Sequence, residues 1–374
     1  MNPQPRRRPF VLEEIYQQPQ AIRETIERHV AGERIFSGEL VNIQDAFSRL
    51  NKIIIAASGS SRHAGLAAEI MIEDMTGIAV DVEYASEYCY RSTHTGEDAL
   101  VVVITQSGET ADTVAAQREA RSRQATTLAI CNVLNSTIMR EASATLLTYA
   151  GPERAVPATK SFTSQLTVLH LLALYLAGRR DRMTVQTAGA GLRRLLELPQ
   201  ALQNSIPQWD SIAAQCAKDF GKTQTFLYLG RGVHYAIARE GALKLKETAY
   251  VQAEGYPAGE LKHGPYALLS ENLIVVVIAT QDRSDADSVL RYQKTVAIMD
   301  DIKAHGGKLI VVASEGDDAV RALADHVFFV PAAAELALPI LEVVPLQLFA
   351  YQAAVSRGLD VDHPRNLVKA VVTE

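Results

Sequence analysis

Residues 100–113 read LVVVITQSGETADT, an unbroken aliphatic run that passes directly into small polar side chains. A continuous rather than alternating apolar run predicts a strand buried on both faces of a parallel sheet. Residues 111–123 have helical spacing, so the polar turn lies between a strand and a helix N-terminus. Because ligands of open α/β sheets bind beyond the carboxyl ends of the strands, this stretch predicts an α/β fold with a binding site.

The same pattern occurs a second time in the chain. VVVIATQDRSDADS at 275–288 aligns on its Thr-Gln pair with VVVITQSGETADT at 101–113. The strands that precede them each run into a glycine turn and a helix, as IIIAASGSSRHAG at 53–65 and FLYLGRGVHYAIA at 226–238. This self-similarity predicts two copies of one α/β unit.

Predicted strands and helices alternate in both copies, which span about 40–175 and 211–345. The architecture expected is α/β, with two tandem doubly wound, flavodoxin-like parallel-sheet units and a C-terminal tail. Strands are predicted at 53–57, 80–84, 100–104, 127–131, 145–148, 225–229, 273–279, 308–313 and 326–329. Helices are predicted at 64–76, 111–123 and 235–250, with a helical connection over 161–202. The predicted divisions are a disordered tail (1–12), an N-terminal helical segment (13–39), the first unit with connecting helices (40–205), the second unit (206–345) and a C-terminal helix and catalytic tail (346–374).

Composition narrows the class of protein. A chain of 374 residues exceeds the roughly 250–300 residues of one core, so two domains are expected. A net charge of −6 argues against a broad nucleic-acid-binding surface.

Cys89, Cys131 and Cys216 form no CxxC pair, which favours a reducing compartment and no structural zinc. The basic N-terminus lacks a following apolar run, and no apolar stretch reaches the roughly 18 residues of a membrane span. We expect a soluble, cytoplasmic protein without nucleic-acid or membrane partners.

Two hydroxyl-rich turns lie at strand ends in the first copy, SGSS at 58–61 and QSGET at 106–110. Free N–H groups and the helix dipole suit an anion there, and Ser107 and Thr110 add hydroxyl donors. The turns lack the lysine and spacing of a P-loop, so a phosphate on a small metabolite is favoured over a nucleoside triphosphate. Helix N-capping alone is the alternative explanation of such a turn.

The second copy differs at the same points. Asp282 replaces Ser107 and Asp285 replaces Thr110. Carboxylates at these positions repel phosphate, so only the first copy is expected to bind it.

Six segments in chain order resemble motifs of the sugar isomerase (SIS) family, most closely the isomerase half of its glucosamine-6-phosphate synthase branch. They are SGSS (58–61), QSGETADT (106–113), ATKSFTSQL (158–166), EGALKLKE (240–247), AGELKHGP (258–265) and HPRNLVKAVVTE (363–374). EEIYQQPQAI at 13–22 is similar to the segment that opens that half, so the resemblance covers about 13–374.

The resemblance implies a role for each matching residue. Glu247 would move a proton between C1 and C2 of the sugar, with Lys244 beside it at the reacting end. His263 would open the sugar ring, and Lys369 would form a Schiff base with the ketose carbonyl. No cofactor and no metal is implied. The sugar phosphate would be held by Ser60, Ser61, Thr105, Gln106, Ser107, Thr110 and the position of Ala158.

These residue types suit that chemistry. Aldose–ketose interconversion needs a carboxylate partly withdrawn from water as the base, and histidine suits ring opening near neutral pH. A lysine condenses with a ketone only as the neutral amine. Taken singly, each residue has a simpler explanation: residues 243–247 as an amphipathic helix, His263 as a surface side chain and Lys369 as a solvated tail charge.

Three departures from the family pattern matter. Ala158 stands where a serine is frequent, so substrate placement near 156–159 is expected to differ. Thr105 also replaces a serine but keeps the hydroxyl. The synthase branch begins with a glutaminase domain and its catalytic cysteine, whereas about a dozen residues without cysteine precede the isomerase segment here. We therefore expect that this chain does not release ammonia from glutamine by that route.

Three activities remain compatible with the resemblance. The favoured one converts glucosamine 6-phosphate to fructose 6-phosphate and ammonia. The alternatives are cleavage of a fructosamine 6-phosphate, and synthesis of glucosamine 6-phosphate with free ammonia or a separate glutaminase. A non-catalytic sugar-phosphate-binding or sensing protein is expected to lose Glu247, His263 or Lys369, and all three are present. The resemblance also implies a homodimer with shared sites, to which His263 comes from the second subunit.

Overall fold

The computed structural model describes residues 8–32, 34–36, 38–91 and 98–372. The strands are β1 (Val30–Ala31), β2 (Arg34–Ile35), β3 (Lys52–Ala57), β4 (Ala79–Tyr84), β5 (Ala99–Ile104), β6 (Thr126–Cys131), β7 (Ala144–Leu147), β8 (Thr225–Gly230), β9 (Gln252–Pro257), β10 (Ile274–Ala279), β11 (Lys308–Ser314) and β12 (His326–Val330). The helices are α1 (Phe10–His29), α2 (Gln44–Arg49), α3 (Gly59–Thr76), α4 (Ala85–Tyr88), α5 (Ala111–Ser122), α6 (Thr137–Glu141), α7 (Lys160–Arg179), α8 (Val185–Phe220), α9 (His234–Ala249), α10 (Ala286–Ala304), α11 (Asp318–Leu323) and α12 (Leu338–Ser356). Short 3₁₀ helices lie at Val41–Ile43, Ala258–His263, Pro265–Leu268 and Glu335–Ala337.

Two five-stranded sheets have the same strand order. The first runs β4-β3-β5-β6-β7 and the second runs β9-β8-β10-β11-β12, with parallel pairing throughout. In each sheet, the strand that comes first in the chain (β3 or β8) has the second strand on one side and the third on the other. The strand order therefore changes direction at that strand, as in a doubly wound sheet. The prediction of two tandem α/β units is confirmed, and every predicted strand lies within one residue of an observed one.

The register of the central strands positions the binding edge of the first sheet. Every residue of β5 is buried, and so is every residue of β10, because helices cover both faces of each sheet. β3 pairs with β5 from Lys52↔Ala99 to Ala57↔Ile104. The two strands therefore end side by side, and the polar turns that follow them lie next to each other.

Long apolar helices join the two units. α7 packs on α3 and α1, while α12 packs on α8 and α9. We expected no apolar stretch of the roughly 18 residues that a membrane span needs. This was wrong, because the helices Lys160–Arg179 and Glu335–Ser356 are long and apolar enough to cross a membrane. In each, 89% of the most apolar window is buried inside the protein, as in the core helices of globular domains.

The C-terminal tail crosses the first unit. After α12, the carboxylate of Asp362 accepts hydrogen bonds from the backbone N–H groups of Phe10 and Val11 at 2.9 and 2.8 Å. Further along, the carbonyl of Val371 accepts the N–H of Ala111, at the start of α5, at 3.0 Å. The tail is thus fixed at both ends, and the residues between them lie over the carboxyl edge of the first sheet. Residues 1–7 of the predicted disordered tail lie outside the described residues. For residues 10–12 the prediction was wrong, because they form the start of α1 and Val11 and Leu12 are buried. The domain boundaries stay predictions.

Candidate active site

A cavity of about 300 Å³ lies at the carboxyl edge of the first sheet, between the two units and the tail. It brings together all the residues predicted for the site except His263. Its polar lining comes from four parts of the chain: Ser58, Ser60, Ser61, Thr105, Gln106, Ser107, Thr110, Thr113, Lys244, Glu247 and Lys369.

The turn after β5 presents a cluster of hydroxyl groups to this cavity. The Oγ1 atoms of Thr105 and Thr110 lie 2.9 Å apart, and Ser107 Oγ lies 3.5 Å from Thr110 Oγ1. Gly108 makes the turn possible, since its φ is +72° and a Cβ there would come within 2.1 Å of Ser136 Oγ. Thr110 is the N-cap residue of α5, yet its side chain makes no capping hydrogen bond within the described residues. N-capping therefore does not account for its hydroxyl.

The turn after β3 adds a second set of hydroxyls. Ser60 and Ser61 lie in the first turn of α3, beside the β5 turn. Ser61 Oγ accepts a hydrogen bond of 3.0 Å from Gln165 Nε2 on α7. Two helix N-termini with hydroxyl donors thus face one cavity, which is the environment that favours a phosphate group.

A charged row on α9 forms the opposite wall. Lys244 Nζ lies 2.6 Å from Glu247 Oε2 and 3.5 Å from Glu240 Oε1. Glu240 is in turn bound by Ser60 Oγ at 2.8 Å and by His63 Nδ1 at 2.7 Å, both on α3. These hydrogen bonds and ion pairs connect α3, which follows the hydroxyl-rich turn of the first unit, to the charged side chains of α9 in the second unit.

Lys244 is a fixed cation in this row. Burial alone would lower the pKa of Lys244, but the charges of Glu247 and Glu240 outweigh it and raise the pKa above its ordinary value. Burial alone would also raise the pKa of Glu240, but Lys244, His63 and Ser60 together bring it below its usual range. An amine that keeps its proton cannot attack a carbonyl, so Lys244 suits charge stabilisation rather than Schiff-base formation.

Lys369 enters the cavity from the tail and contacts a buried acid. Its Nζ lies 2.5 Å from Glu153 Oε2. The other contacts to the Glu153 carboxylate are the N–H groups of Thr159 and Ser161, at 3.0 and 3.1 Å, and the Ser161 hydroxyl at 2.7 Å. Burial favours the neutral acid, but Lys369 and these donors hold the pKa of Glu153 below its usual range.

Three residues of this site were not predicted from the sequence: Glu153, Glu240 and Gln165. Glu240 could have been found, because it lies four residues before Lys244 and seven before Glu247 on one helical face. Glu153 carries no comparable signal, since its partner Lys369 is 216 residues away in the chain.

His263 is not part of the cavity in a single chain. It ends the 3₁₀ helix Ala258–His263 on the second unit, and its side chain is exposed. Its role in ring opening stays a prediction, as does the homodimer that would bring it to the site.

Comparisons with known proteins identify the family to which the chain belongs. The model of the SIS domain family matches residues 46–175 and 220–357. The chain is 42% identical over 98% of its length to a glutamine–fructose-6-phosphate aminotransferase (isomerizing) of Chlorobaculum tepidum, and 44% identical over 98% to that of Streptomyces coelicolor. It spans 58% and 59% of those two proteins.

Solved structures show the same similarity. The C-terminal domain of glucosamine-fructose-6-phosphate aminotransferase from Francisella tularensis superposes with a TM-score of 0.88 at 34% identity, covering 96% of this chain and 99% of that one. A glucosamine-6-phosphate deaminase from Thermotoga maritima shares the fold, with a TM-score of 0.71 at 22% identity over 97% of this chain and 99% of that one. The chain therefore belongs to the SIS domain family.

Proposed function

We propose that this chain deaminates glucosamine 6-phosphate to fructose 6-phosphate and ammonia. One observation carries the proposal: a single cavity joins two hydroxyl-rich turns, a Lys244–Glu247 pair and the amine of Lys369. Deamination consumes only the amino-sugar phosphate and water, so it needs no glutaminase and no co-substrate. The similarity to isomerizing aminotransferases supports an amino-sugar phosphate as the substrate.

The phosphate would bind between the two turns. Hydroxyls of Ser61, Ser107 and Thr110 and the N-termini of α3 and α5 would donate to its oxygens. The reacting carbons of the sugar would then extend towards α9 and the tail. Ala158 also lines the cavity, but its side chain offers no hydrogen-bond donor to the substrate.

Proton transfer would be the task of Glu247. Its carboxylate removes the C2 proton of the open-chain aldose and returns a proton to C1, which converts the 2-amino aldose into a 2-imino ketose. Lys244, 2.6 Å away, stabilises the negative charge that develops on the substrate during this step.

Lys369 would release the nitrogen. Its neutral amine attacks the C2 imine, ammonia leaves, and a Schiff base between Lys369 and the sugar remains. Water then cleaves this Schiff base to give fructose 6-phosphate and free lysine. The overall balance is glucosamine 6-phosphate plus water to fructose 6-phosphate plus ammonia.

Ring opening would be completed by a second subunit. We propose a homodimer in which His263 of one copy reaches the cavity of the other. Chains carrying His263→Ala and Lys369→Ala should each be inactive alone and regain activity when mixed under conditions that exchange subunits. Mixed chains that stay inactive, although they form heterodimers, would contradict the shared site.

The second candidate is the reverse direction, synthesis of glucosamine 6-phosphate from fructose 6-phosphate with ammonia supplied by solution or by a glutaminase. The aminotransferase names of the relatives favour it. The chemistry at the cavity is the same in both directions.

One assay separates these candidates. Purified protein is incubated with glucosamine 6-phosphate while ammonia and fructose 6-phosphate are measured, and separately with fructose 6-phosphate and ammonium while glucosamine 6-phosphate is measured. Equal release of ammonia and fructose 6-phosphate, absent in Lys369→Ala, supports deamination. Product only in the second reaction supports synthesis. Product in neither reaction refutes both and directs the search to fructosamine 6-phosphates.

A further inference from the structure

Formation of the proposed Schiff base requires the Lys369 ammonium to lose a proton first, because only the neutral amine attacks carbon. Lys369 Nζ lies 2.5 Å from Glu153 Oε2, and the two groups form an ion pair. The Glu153 side chain has no exposed surface, whereas that of Lys369 is 25% exposed. Glu153 does not line the cavity, and its carboxylate contacts Lys369 at Nζ, the atom that would react.

Below this pair lies a second buried carboxyl group, Glu14 of α1. Its Oε1 accepts the N–H groups of Arg154 and Ala155 at 2.5 and 3.4 Å, so it holds the peptide next to Glu153. Its Oε2 is buried and has no hydrogen-bond partner in the part of the chain that the structure describes. Glu14 therefore binds the backbone next to Glu153, and it interacts electrostatically with both Glu153 and Lys369.

We infer that Glu153 takes the proton that the Lys369 ammonium must lose before its nitrogen can attack the substrate, and that Glu14 keeps this site at a single negative charge. The inference rests on the proposed function, because it concerns the Schiff base at Lys369. In this role Glu153 and Glu14 are positioning residues that act through Lys369.

The transfer balances without any further reactant. One proton moves from Lys369 Nζ to Glu153 Oε2, and an ammonium–carboxylate pair becomes an amine–carboxylic acid pair. Lys369 is the main influence that lowers the pKa of Glu153, ahead of the N–H of Thr159 and the contacts of Ser161. Once the proton has crossed, that charge is gone and burial favours the neutral acid. The amine then forms its bond to C2, and the proton later returns when the Schiff base is cleaved.

Glu14 determines how many negative charges face Lys369. Burial raises the pKa of Glu14 to about 7, with the backbone N–H of Arg154 opposing and the charge of Glu153 adding to the effect. The other charged groups facing Glu14 are Lys369 and Lys160, whose Nζ donates to Gln17 at 2.8 Å. Below about pH 7 Glu14 is neutral. Above it, a second carboxylate beside the pair holds the proton on Lys369 and slows its loss.

Borohydride trapping tests the inference directly. Protein is mixed with fructose 6-phosphate, the Schiff base is reduced at set times, and the modified Lys369 peptide is quantified by mass spectrometry. Glu153→Gln should slow adduct formation by about 100-fold at neutral pH, the size expected for loss of a proton acceptor, and Glu153→Asp should recover part of the rate. Glu141→Gln is the matched control, since Glu141 also pairs with a cation, Arg118, but lies on the surface. It should react like the unaltered chain.

The opposite result would overturn the inference. If Glu153 only held Lys369 in its charged form, Glu153→Gln would form the adduct as fast as the unaltered chain or faster. An unaltered chain that forms no adduct at all would instead refute the proposed Schiff base, so the two failures are distinguishable.

A second variant covers the case in which Glu153→Gln does not fold. Glu14→Gln keeps Glu153 and fixes a neutral side chain below it. Adduct formation between pH 6 and pH 8.5 should then lose the inhibition that sets in above about pH 7 in the unaltered chain, so the ratio of variant to unaltered rates rises with pH. A ratio that stays flat over this range overturns the role of Glu14.

Discussion

The two units have the same sheet, yet the equivalent strand ends look different. After β5, the side chains of Thr105 and Thr110 face an open cavity. After β10, the equivalent hydroxyls bond to carboxylates of the chain, and a cavity of about 310 Å³ beside the turn is lined by Asp282 and Ser284 instead. Thr280 donates its hydroxyl to Glu342, and Ser288 donates its hydroxyl to Glu335. Carboxylates of the chain thus lie where the first unit offers hydroxyls to a ligand.

Cations complete this internal cluster in the second unit. His234 Nε2 lies 3.2 Å from Glu335 Oε1, and its Nδ1 lies 2.8 Å from Glu342 Oε1. Arg291 donates from Nε to Glu335 at 2.9 Å. Burial alone would lower the pKa of His234, but Glu342 and Glu335 raise it to about 10. The same strand–turn–helix pattern therefore either leaves its hydroxyls facing a ligand cavity or ties them into a buried ion cluster, depending on a few side chains.

The largest effect is expected where the open site does its chemistry. Glu247→Gln removes the proposed base while keeping the size of the side chain, so turnover should fall by about 10²- to 10⁴-fold. Sugar-phosphate binding, measured by calorimetry, should stay within a few-fold. Loss of binding together with turnover would contradict the assignment of Glu247 as the base.

Breaking the ion cluster of the second unit should mainly lower the stability of the protein. Glu335→Ala leaves His234 and Arg291 without their shared carboxylate, and breaking such a buried pair costs about 3–5 kcal/mol in the free energy of unfolding. Urea unfolding measures this loss. Glu315→Ala, an exposed acid of the same unit, is the control and should change stability by about 0.5 kcal/mol or less. Equal losses in the two variants would show that the cluster contributes nothing special.

Exchanging side chains between the two turns should convert one behaviour towards the other. Ser107→Asp places a carboxylate where the phosphate is proposed to bind, and like charges in contact cost several kcal/mol, so affinity should fall by about 100-fold or more. Asp282→Ser, at the aligned position of the second unit, should leave affinity unchanged. An unchanged affinity in Ser107→Asp would place the phosphate elsewhere.

The buried ion cluster should also make stability depend on pH. Because the pKa of His234 is raised from 6.5 to about 10 in the folded chain, its contribution is complete below pH 6.5 and is lost as pH rises through 10. The free energy of unfolding should therefore decline between these values, and His234→Gln should decline less steeply. Parallel slopes for both proteins would contradict the pairing of His234 with Glu335 and Glu342.

Burial explains which elements the sequence predicts well. β5 and β10 are covered on both faces, so their sequences are continuous aliphatic runs that indicate strands directly. β9 was not predicted, because QAEGYP lies at the edge of the second sheet, is only partly buried and contains Gly255 and Pro257. Its strand character comes from pairing with β8 rather than from its own composition.

The same limit applies to the site. Motif residues such as Ser107, Glu247 and Lys369 were predicted, because their types and order resemble a family. Glu14 and Glu153 were not, since a buried acid becomes meaningful only when its partner is known, and the fold supplies that partner from distant parts of the chain. Contacts of this kind follow from packing, which the local pattern does not encode.

Hydrogen exchange at the substrate tests the central claim most directly. Fructose 6-phosphate is incubated with the protein in D₂O, without ammonia, and deuterium at C1 is followed by NMR. The account predicts exchange with the unaltered chain and none above background with Glu247→Gln or Lys369→Ala. Exchange that persists in both variants, or fails in the unaltered chain while it binds the sugar phosphate, would contradict the claim that this cavity performs aldose–ketose proton transfer.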